Sequence, residues 1–229
     1  MSRPPSPRVL VFDVNETLLD IGTLAPLFQR LFGDGAVLRH WFAQLILHAE
    51  AAALAGHYLP LGRLGGGVLR MLGTVRGVAV AEGDLDELRG RLLAMPPHPD
   101  VLPALSRLAD AGFRLATLTN SAPDPEVDPL ARAGIAPLLE RRFTVDAVRR
   151  FKPAPEVYRQ VSDALGLPPA ALCLVAAHHW DTMGAQALGW AGALVTRPGQ
   201  AAVPGLPPPD LAAPDLAALA ESMIDRWRA

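Results

Sequence analysis

Four short segments carry side chains of the kinds that make and break bonds: Asp13-Val-Asn-Glu-Thr17, Thr119-Asn-Ser121, Phe151-Lys-Pro-Ala-Pro155 and Ala177-His-His-Trp-Asp181. Each reads as lying just past the end of a strand, and in an open α/β sheet that edge is where ligands bind. Taken singly, the segments stay ambiguous. An Asp after a strand, as at Asp13, is either a catalytic carboxylate or a cap. Thr119-Asn120-Ser121 has the composition of a turn. A lone Lys152 is ordinarily a solvated surface charge. Asn15-Glu16-Thr17 matches a glycosylation sequon, which has meaning only in a secreted chain.

These segments need a scaffold, and the hydrophobic pattern supplies one. Residues 8–13 form an apolar run ending in an acid, the pattern of a buried strand delivering a carboxylate to its C-terminal end. Residues from about 18 to 93 read as helical throughout. Within them Leu38, Trp41, Phe42, Leu45 and Ala49 make a helical stripe, and Asp84 with Glu87 suggests a capping box. Pro96-Pro97-His98-Pro99 breaks the chain. Beyond it, helices over 100–111, 155–165, 181–188 and 214–227 alternate with strands over 113–118, 143–145, 171–175 and 193–195. This alternation predicts an α/β fold, a doubly wound parallel sheet with helices on both faces. The helical block falls after the first strand, so it reads as an inserted α-helical cap. The expected division is 1–16 and 96–229 for the core and 17–95 for the cap.

Composition narrows the class. Of 229 residues half are hydrophobic and 19% charged, which fits a globular chain with a sizeable core. With 21 basic and 23 acidic residues the net charge is −2, leaving no basic surplus for nucleic acid. No apolar run approaches the length of a membrane span. The single cysteine, Cys173, cannot close an internal disulfide and suits a reducing cytoplasm. Residues 1–7 are proline-rich and polar, without the apolar region of a signal peptide.

Together and in this order, the four segments resemble the motifs of the haloacid dehalogenase (HAD) superfamily of hydrolases, over nearly the whole chain. Those motifs are an Asp ending the first strand, a Thr or Ser after the second, a Lys before a helix, and an acidic site after the next strand. The resemblance implies a HAD-like Rossmannoid core with a helical cap inserted between the first two motifs. It makes Asp13 the nucleophile of an ester or acyl phosphate. Lys152 would keep Asp13 ionised and oriented. Thr17 and Thr119 would donate hydrogen bonds around the reacting group, with Asn120 beside them.

Two departures bear on the chemistry. Phosphatases of this superfamily carry a second Asp two residues after the nucleophile as general acid; here Asn15 stands there. They also carry an acid at the start of the fourth motif to hold magnesium; here it is Ala176. The type II L-2-haloacid dehalogenase branch lacks both groups, because a leaving halide needs neither. Residues 12–20, Lys152-Pro-Ala-Pro-Glu-Val-Tyr158 and His179-Trp-Asp-Thr-Met-Gly-Ala185 resemble that branch. It implies that Asp181 positions and activates the hydrolytic water and that Tyr158 lies near the substrate carboxylate or the lysine.

The branch itself is not matched everywhere. It usually has Ser and Asn where Ala176 and His178 stand; His178 either takes over the asparagine's hold on water or only fills space and bonds to a loop carbonyl. Its cap carries an Arg that binds halide or carboxylate. Phe42 aligns there, beside Trp41, with Arg39 three residues earlier; these three, with Asn15, stand as candidate substrate contacts. The resulting reading is a cytoplasmic hydrolase, using no cofactor or metal, that turns a small 2-halo acid into a 2-hydroxy acid through an Asp13 ester. The family is often dimeric, so a homodimer is expected. A HAD phosphatase of small phosphate esters and a non-catalytic binding protein on the same fold are the competing readings.

Overall fold

The structure is a computed structural model that describes residues 6–228, so most of the proline-rich start lies outside the described residues. Six parallel strands form one sheet in the order β3-β2-β1-β4-β5-β6. They are β1 (Val9–Phe12), β2 (Arg114–Thr119), β3 (Arg141–Thr144), β4 (Leu172–Ala176), β5 (Ala191–Val195) and β6 (Leu211–Ala213). β1 and β4 are apolar and wholly buried, as strands covered on both faces must be. The chain runs outward from β1 to β3 on one side and from β4 to β6 on the other. Strand order therefore reverses beside β1, and a crevice opens at the C-terminal ends there. Register sets Phe12 beside Thr117 and Val175, so the residues after β1 and β4 emerge side by side.

Helices flank the sheet. α5 (Val101–Asp110) packs on α9 (Leu216–Arg228); α6 (Pro129–Arg132) is a single turn after β2, and α8 (His179–Gln186) packs on β4 and β5 with α7 (Pro155–Leu165) beside it. Between β1 and α5 come α1 (Ala25–Phe32), α2 (Val37–Leu54), α3 (Leu61–Arg76) and α4 (Glu82–Leu93). They cohere around Trp41, which is fully buried, lies 5.5 Å from the Phe28 ring and donates from Nε1 to the Gly65 carbonyl at 2.9 Å. A Cβ on Gly65 would come within 3.1 Å of that indole, so the glycine is what lets α2 and α3 approach. The chain leaves and re-enters the sheet side by side: the Asp20 N–H donates to Pro96 O and the His98 N–H to Leu18 O.

Two expectations are corrected. α4 begins at Glu82, not at Asp84: its N-cap, Ala81, has no side-chain oxygen, and Asp84 in the first turn instead accepts the Ala81 N–H at 2.8 Å. Asp84 and Glu87 also both receive Arg30 of α1, at 2.9 and 2.6 Å. The edge strand β6 was not legible, because it is three residues long and follows a proline-rich loop. Among the described residues no helix is long and apolar enough to cross a membrane.

Arg197, just past β5, ties the returning chain to the first loop. It grips both oxygens of Asp100 at 2.9 and 2.8 Å and donates to Thr17 O at 3.0 Å, while Asp100 also accepts the Leu216 N–H at 2.6 Å. Burial favours the neutral carboxyl, but Arg197 and the backbone N–H outweigh it and hold Asp100 below its ordinary range. A depressed carboxylate contributes stability that is present above its unfolded pKa of about 3.9 and is lost as pH falls through the folded value. Arg197→Met strands a half-buried carboxylate and is expected to cost about 3 kcal/mol near neutrality. Urea unfolding midpoints should reveal the loss, and the deficit should shrink in acid once Asp100 is protonated. An unchanged midpoint at pH 7 would mean the pair contributes nothing.

Candidate active site

Asp13 is the first residue beyond β1, with its N–H on Val175 O at 2.9 Å. Three groups surround its carboxylate. The Lys152 ammonium donates to Oδ1 at 3.0 Å, the Thr17 hydroxyl to Oδ2 at 2.7 Å, and His178 Nδ1 lies 3.6 Å from Oδ2. Thr17 is itself fixed, because its oxygen accepts the Ala177 N–H at 2.9 Å. Burial pushes the Asp13 carboxyl up, but the Lys152 cation and the Thr17 hydroxyl hold it well below the usual carboxylate range.

Lys152 is completely buried and stands between two carboxylates, Asp13 and Asp181, the second at 2.6 Å. Its backbone N–H donates to Asn120 Oδ1 at 3.0 Å, so Asn120 sets the lysine rather than closing an Asx turn. Burial disfavours its charge, yet the two carboxylates win and raise its pKa. Asp181, the third residue of α8, has both oxygens engaged: Oδ2 by Lys152 and Oδ1 by the Tyr158 hydroxyl at 2.7 Å. Burial and repulsion from Asp13 push its pKa up against the pull of Lys152. Burial and Asp181 likewise push the Tyr158 phenol up, so it remains a donor.

His178 does not reach toward Asp181, as the sequence suggested. Its Nε2 meets Glu16 Oε2 at 2.7 Å, and its ring stacks between Trp180 and Phe42 at centroid distances of 5.2 and 5.6 Å. A carboxylate on one nitrogen fixes the tautomer with the proton on Nε2. Nδ1 is then free: it is buried and has no hydrogen-bond partner among the described residues.

Glu16 is the functional candidate that sequence reasoning missed. It is 2% exposed and has φ of 67°, in the left-handed region. Besides His178 it receives Gln200 Nε2 at 3.1 Å and pairs with Arg39. The available signal was the coincidence of an acid in the first motif with a histidine replacing the asparagine of the fourth. Arg39 accordingly touches Glu16 and Pro198 O instead of lining a substrate pocket. Trp41 is sealed inside the cap core, packed on Phe28 and bonded to the Gly65 carbonyl. The Thr119 hydroxyl accepts the Ser121 N–H at 3.1 Å and closes a turn; it does not donate to Asp13. Asn15 donates to Ser121 Oγ at 3.2 Å beside that turn. His179 is structural, holding Pro207 O and the Val203 N–H.

Asp13, the buried Lys152 and the hydroxyl of Thr17 coincide at one strand end with a second acid behind the lysine. Residues 7–189 match the model of the haloacid dehalogenase-like hydrolases. The chain belongs to that family. Within it, the chain is similar to the (S)-2-haloacid dehalogenase of Xanthobacter autotrophicus, at 31% identity over 86% of this chain and 78% of that protein. It is also similar to haloacetate dehalogenase H-2 of Moraxella sp. (strain B), at 27% over 84% and 87%. The solved L-2-haloacid dehalogenase of X. autotrophicus with chloropropionic acid covalently bound superposes with a TM-score of 0.86, at 26% identity, covering 97% of this chain and all of that one. Hydrolase chemistry and the HAD-like fold thus stand as properties of the family to which the chain belongs.

The electrostatics yield a pH expectation. Because Asp13 is held below the ordinary carboxylate range, it stays ionised as pH falls through the range where a free Asp titrates, about 3.9. The first-turnover burst of any displacement in which Asp13 is the nucleophile should therefore be flat from about pH 5 to 8. A midpoint near 5 in that burst would mean that Lys152 does not control the carboxylate. Lys152→Met removes the cation but leaves Asp13 and Asp181 buried together. It is expected to lower the burst rate by at least about 10³-fold, several kcal/mol of barrier.

Proposed function

We propose that the protein hydrolyses 2-halo acids to 2-hydroxy acids through a covalent ester on Asp13. One observation carries the reading: an ionised, desolvated carboxylate faces the free nitrogen of an imidazole whose other nitrogen is held by Glu16. Around it, Asn15 and Ala176 occupy the positions where phosphoryl transfer would need carboxylates. Among the described residues no group of three or more His, Cys, Asp or Glu side chains is arranged to hold a metal ion. The activities named for the relatives, and the covalent chloropropionic acid in one of them, support the same reading.

In the first step an Asp13 oxygen attacks C2 of the substrate. The C–O bond forms as the carbon–halogen bond breaks, and halide leaves with the bonding pair. No proton is needed, so an amide at Asn15 suffices. Lys152 and Thr17 orient the carboxylate, and the Asn15 and Ser121 side chains offer donors for the substrate carboxylate. In the second step His178 Nδ1 takes a proton from water, which adds to the Asp13 carboxyl carbon. The tetrahedral intermediate expels the oxygen of the 2-hydroxy acid, and that oxygen takes the proton back from His178. The regenerated carboxyl loses its remaining proton to solvent. One water is consumed; one proton and one halide are released.

In this scheme Glu16 is a positioning residue that acts through His178. Asp181 anchors Lys152 with Tyr158, a different part from the activation of water expected from sequence. Residues 17–95 serve as the cap that excludes bulk water, and 1–16 with 96–229 as the core. The reaction calls for no cofactor. The reading includes a homodimer, which rests on the family resemblance alone, and a cytoplasmic setting, which suits the buried, unpaired Cys173.

Four measurements test it. A single turnover in heavy-oxygen water should place label in the Asp13 carboxylate before it appears in product; label appearing first in product would mean direct attack by water. His178→Ala should slow ester hydrolysis far more than ester formation, so that an adduct accumulates on Asp13 as a mass shift of the intact protein. Glu16→Gln should do the same to a smaller degree, about 10- to 100-fold, because it loosens the base without removing it. Equal slowing of both steps in His178→Ala would remove the base from the scheme. EDTA should leave halide release unchanged, and a magnesium-restored phosphatase activity would reverse the assignment.

A further inference from the structure

A groove runs between cap and core and ends at the residues bordering Asp13. Its volume is about 940 Å³, and it reaches Asn15, Thr119 and Phe42, the ring stacked on His178. Pockets of roughly 300–1,000 Å³ hold drug-sized ligands, so a two- or three-carbon acid would leave most of this one to water. Its walls are mainly apolar, with Leu45, Leu61, Leu88, Leu92, Met95 and Phe143 among the lining. Three of its arginines pair with acids: Arg70 with Glu82, Arg89 with Asp124 and Arg142 with Asp128. At the inner end Phe42 presents a ring, so a chain leaving the reacting carbon meets apolar surface first.

We propose that this groove receives an alkyl substituent on C2, making medium-chain 2-haloalkanoic acids the preferred substrates. The inference rests on the ester reading above and specifies the substrate class of that same site. Groove walls contributed by both cap and core sequester a chain of several methylenes from water. A glycine run, Gly65 to Gly67, sits in mid-helix on α3 along the cap wall. Glycine is a poor helix former; Gly65 gives the Trp41 indole its room, while Gly66 and Gly67 keep side chains out of the groove. A Cβ on Gly66 would meet only Leu85, at 3.6 Å, an ordinary contact. A larger side chain at Gly66 can therefore be accommodated by the helix while it narrows the groove.

The experiment follows bromide release from 2-bromopropionate, 2-bromobutanoate, 2-bromohexanoate and 2-bromooctanoate, which share one leaving group. Burying each added methylene should raise kcat/KM about threefold to fourfold, hence at least about 100-fold from propionate to octanoate. In Gly66→Leu the octanoate-to-propionate ratio of kcat/KM should fall at least about tenfold. Circular dichroism of that variant should match the parent, since leucine favours helix. A flat or falling series in the parent overturns the proposal while leaving the ester reading intact. A Gly66→Leu variant that loses both substrates in equal proportion overturns it as well. No bromide release from any of the four acids removes the ester reading itself, and the proposal with it.

Discussion

A fully buried ammonium between two carboxylates is the interaction on which the rest depends. Lys152 is taken out of water entirely, a cost of several kcal/mol for a lone charge. Asp13 and Asp181 offset it at 3.0 and 2.6 Å. Two anions sharing one cation leave the trio with net negative charge, and the hydrogen bonds around it distribute that excess. Tyr158 takes part of it from Asp181, and the Thr17 hydroxyl takes part from Asp13. The asymmetry between the acids follows from what each touches. Asp181 is sealed and held on both oxygens, so it is an anchor. Asp13 is slightly exposed at the sheet edge, so the carboxylate with access to a substrate is the one held most firmly in its charged form.

The fold exists to bring those groups to one place from distant parts of the chain. Asp13 comes from the loop after β1 and Asp181 from the first turn of α8, which follows β4, the neighbour of β1 in the sheet, and Asn120 comes from the loop after β2 on the other side. Asn120 Oδ1 receives the Lys152 backbone N–H, so the loop after one strand fixes the cation that serves the loop after another. Arg197 does the same for the far edge, joining the end of β5 to Thr17 and Asp100. Gly184 leaves the room this needs: a Cβ there would fall 2.6 Å from the Tyr158 hydroxyl and 2.7 Å from Pro153. Even an alanine would push on the phenol that holds Asp181 and on the residue following Lys152.

The parallel core was legible because its strands are short apolar runs closed by polar residues, and because glycines stop the helices between them. Asp13, Lys152, Asp181 and Thr17 were legible as an ordered set of motifs. What could not be read was direction. Sequence spacing put Arg39 near the site, but on α2 its side chain runs toward Glu16 and Pro198. Trp41 and Phe42 are adjacent, yet successive residues on a helix point about 100° apart: one ring lies inside the cap and the other on His178. Thr119 and Asn120 divided their tasks, one to a turn and one to the lysine, and nothing in a polar tripeptide ranks those roles. β6 escaped because three residues at a sheet edge carry no period.

Glu16 is the point at which local and functional demands pull apart. With φ of 67° it occupies a conformation that a residue with a Cβ adopts at some cost, where glycine or asparagine would sit more comfortably. Strain of this kind, on the order of 1–3 kcal/mol, persists only where surrounding contacts over-determine the backbone. They do so here: the Glu16 N–H donates to Leu19 O, and its carbonyl accepts His98 Nε2 at 3.1 Å. Glycine at this position would relax the turn but would leave His178 Nε2 facing no acceptor, and the imidazole would lose its fixed tautomer. The same turn that forces the unusual backbone also carries Asn15 toward Ser121 and Thr17 toward Asp13. One strained residue therefore sets three side chains in three directions, and only the carboxylate of Glu16 makes the left-handed backbone worth keeping.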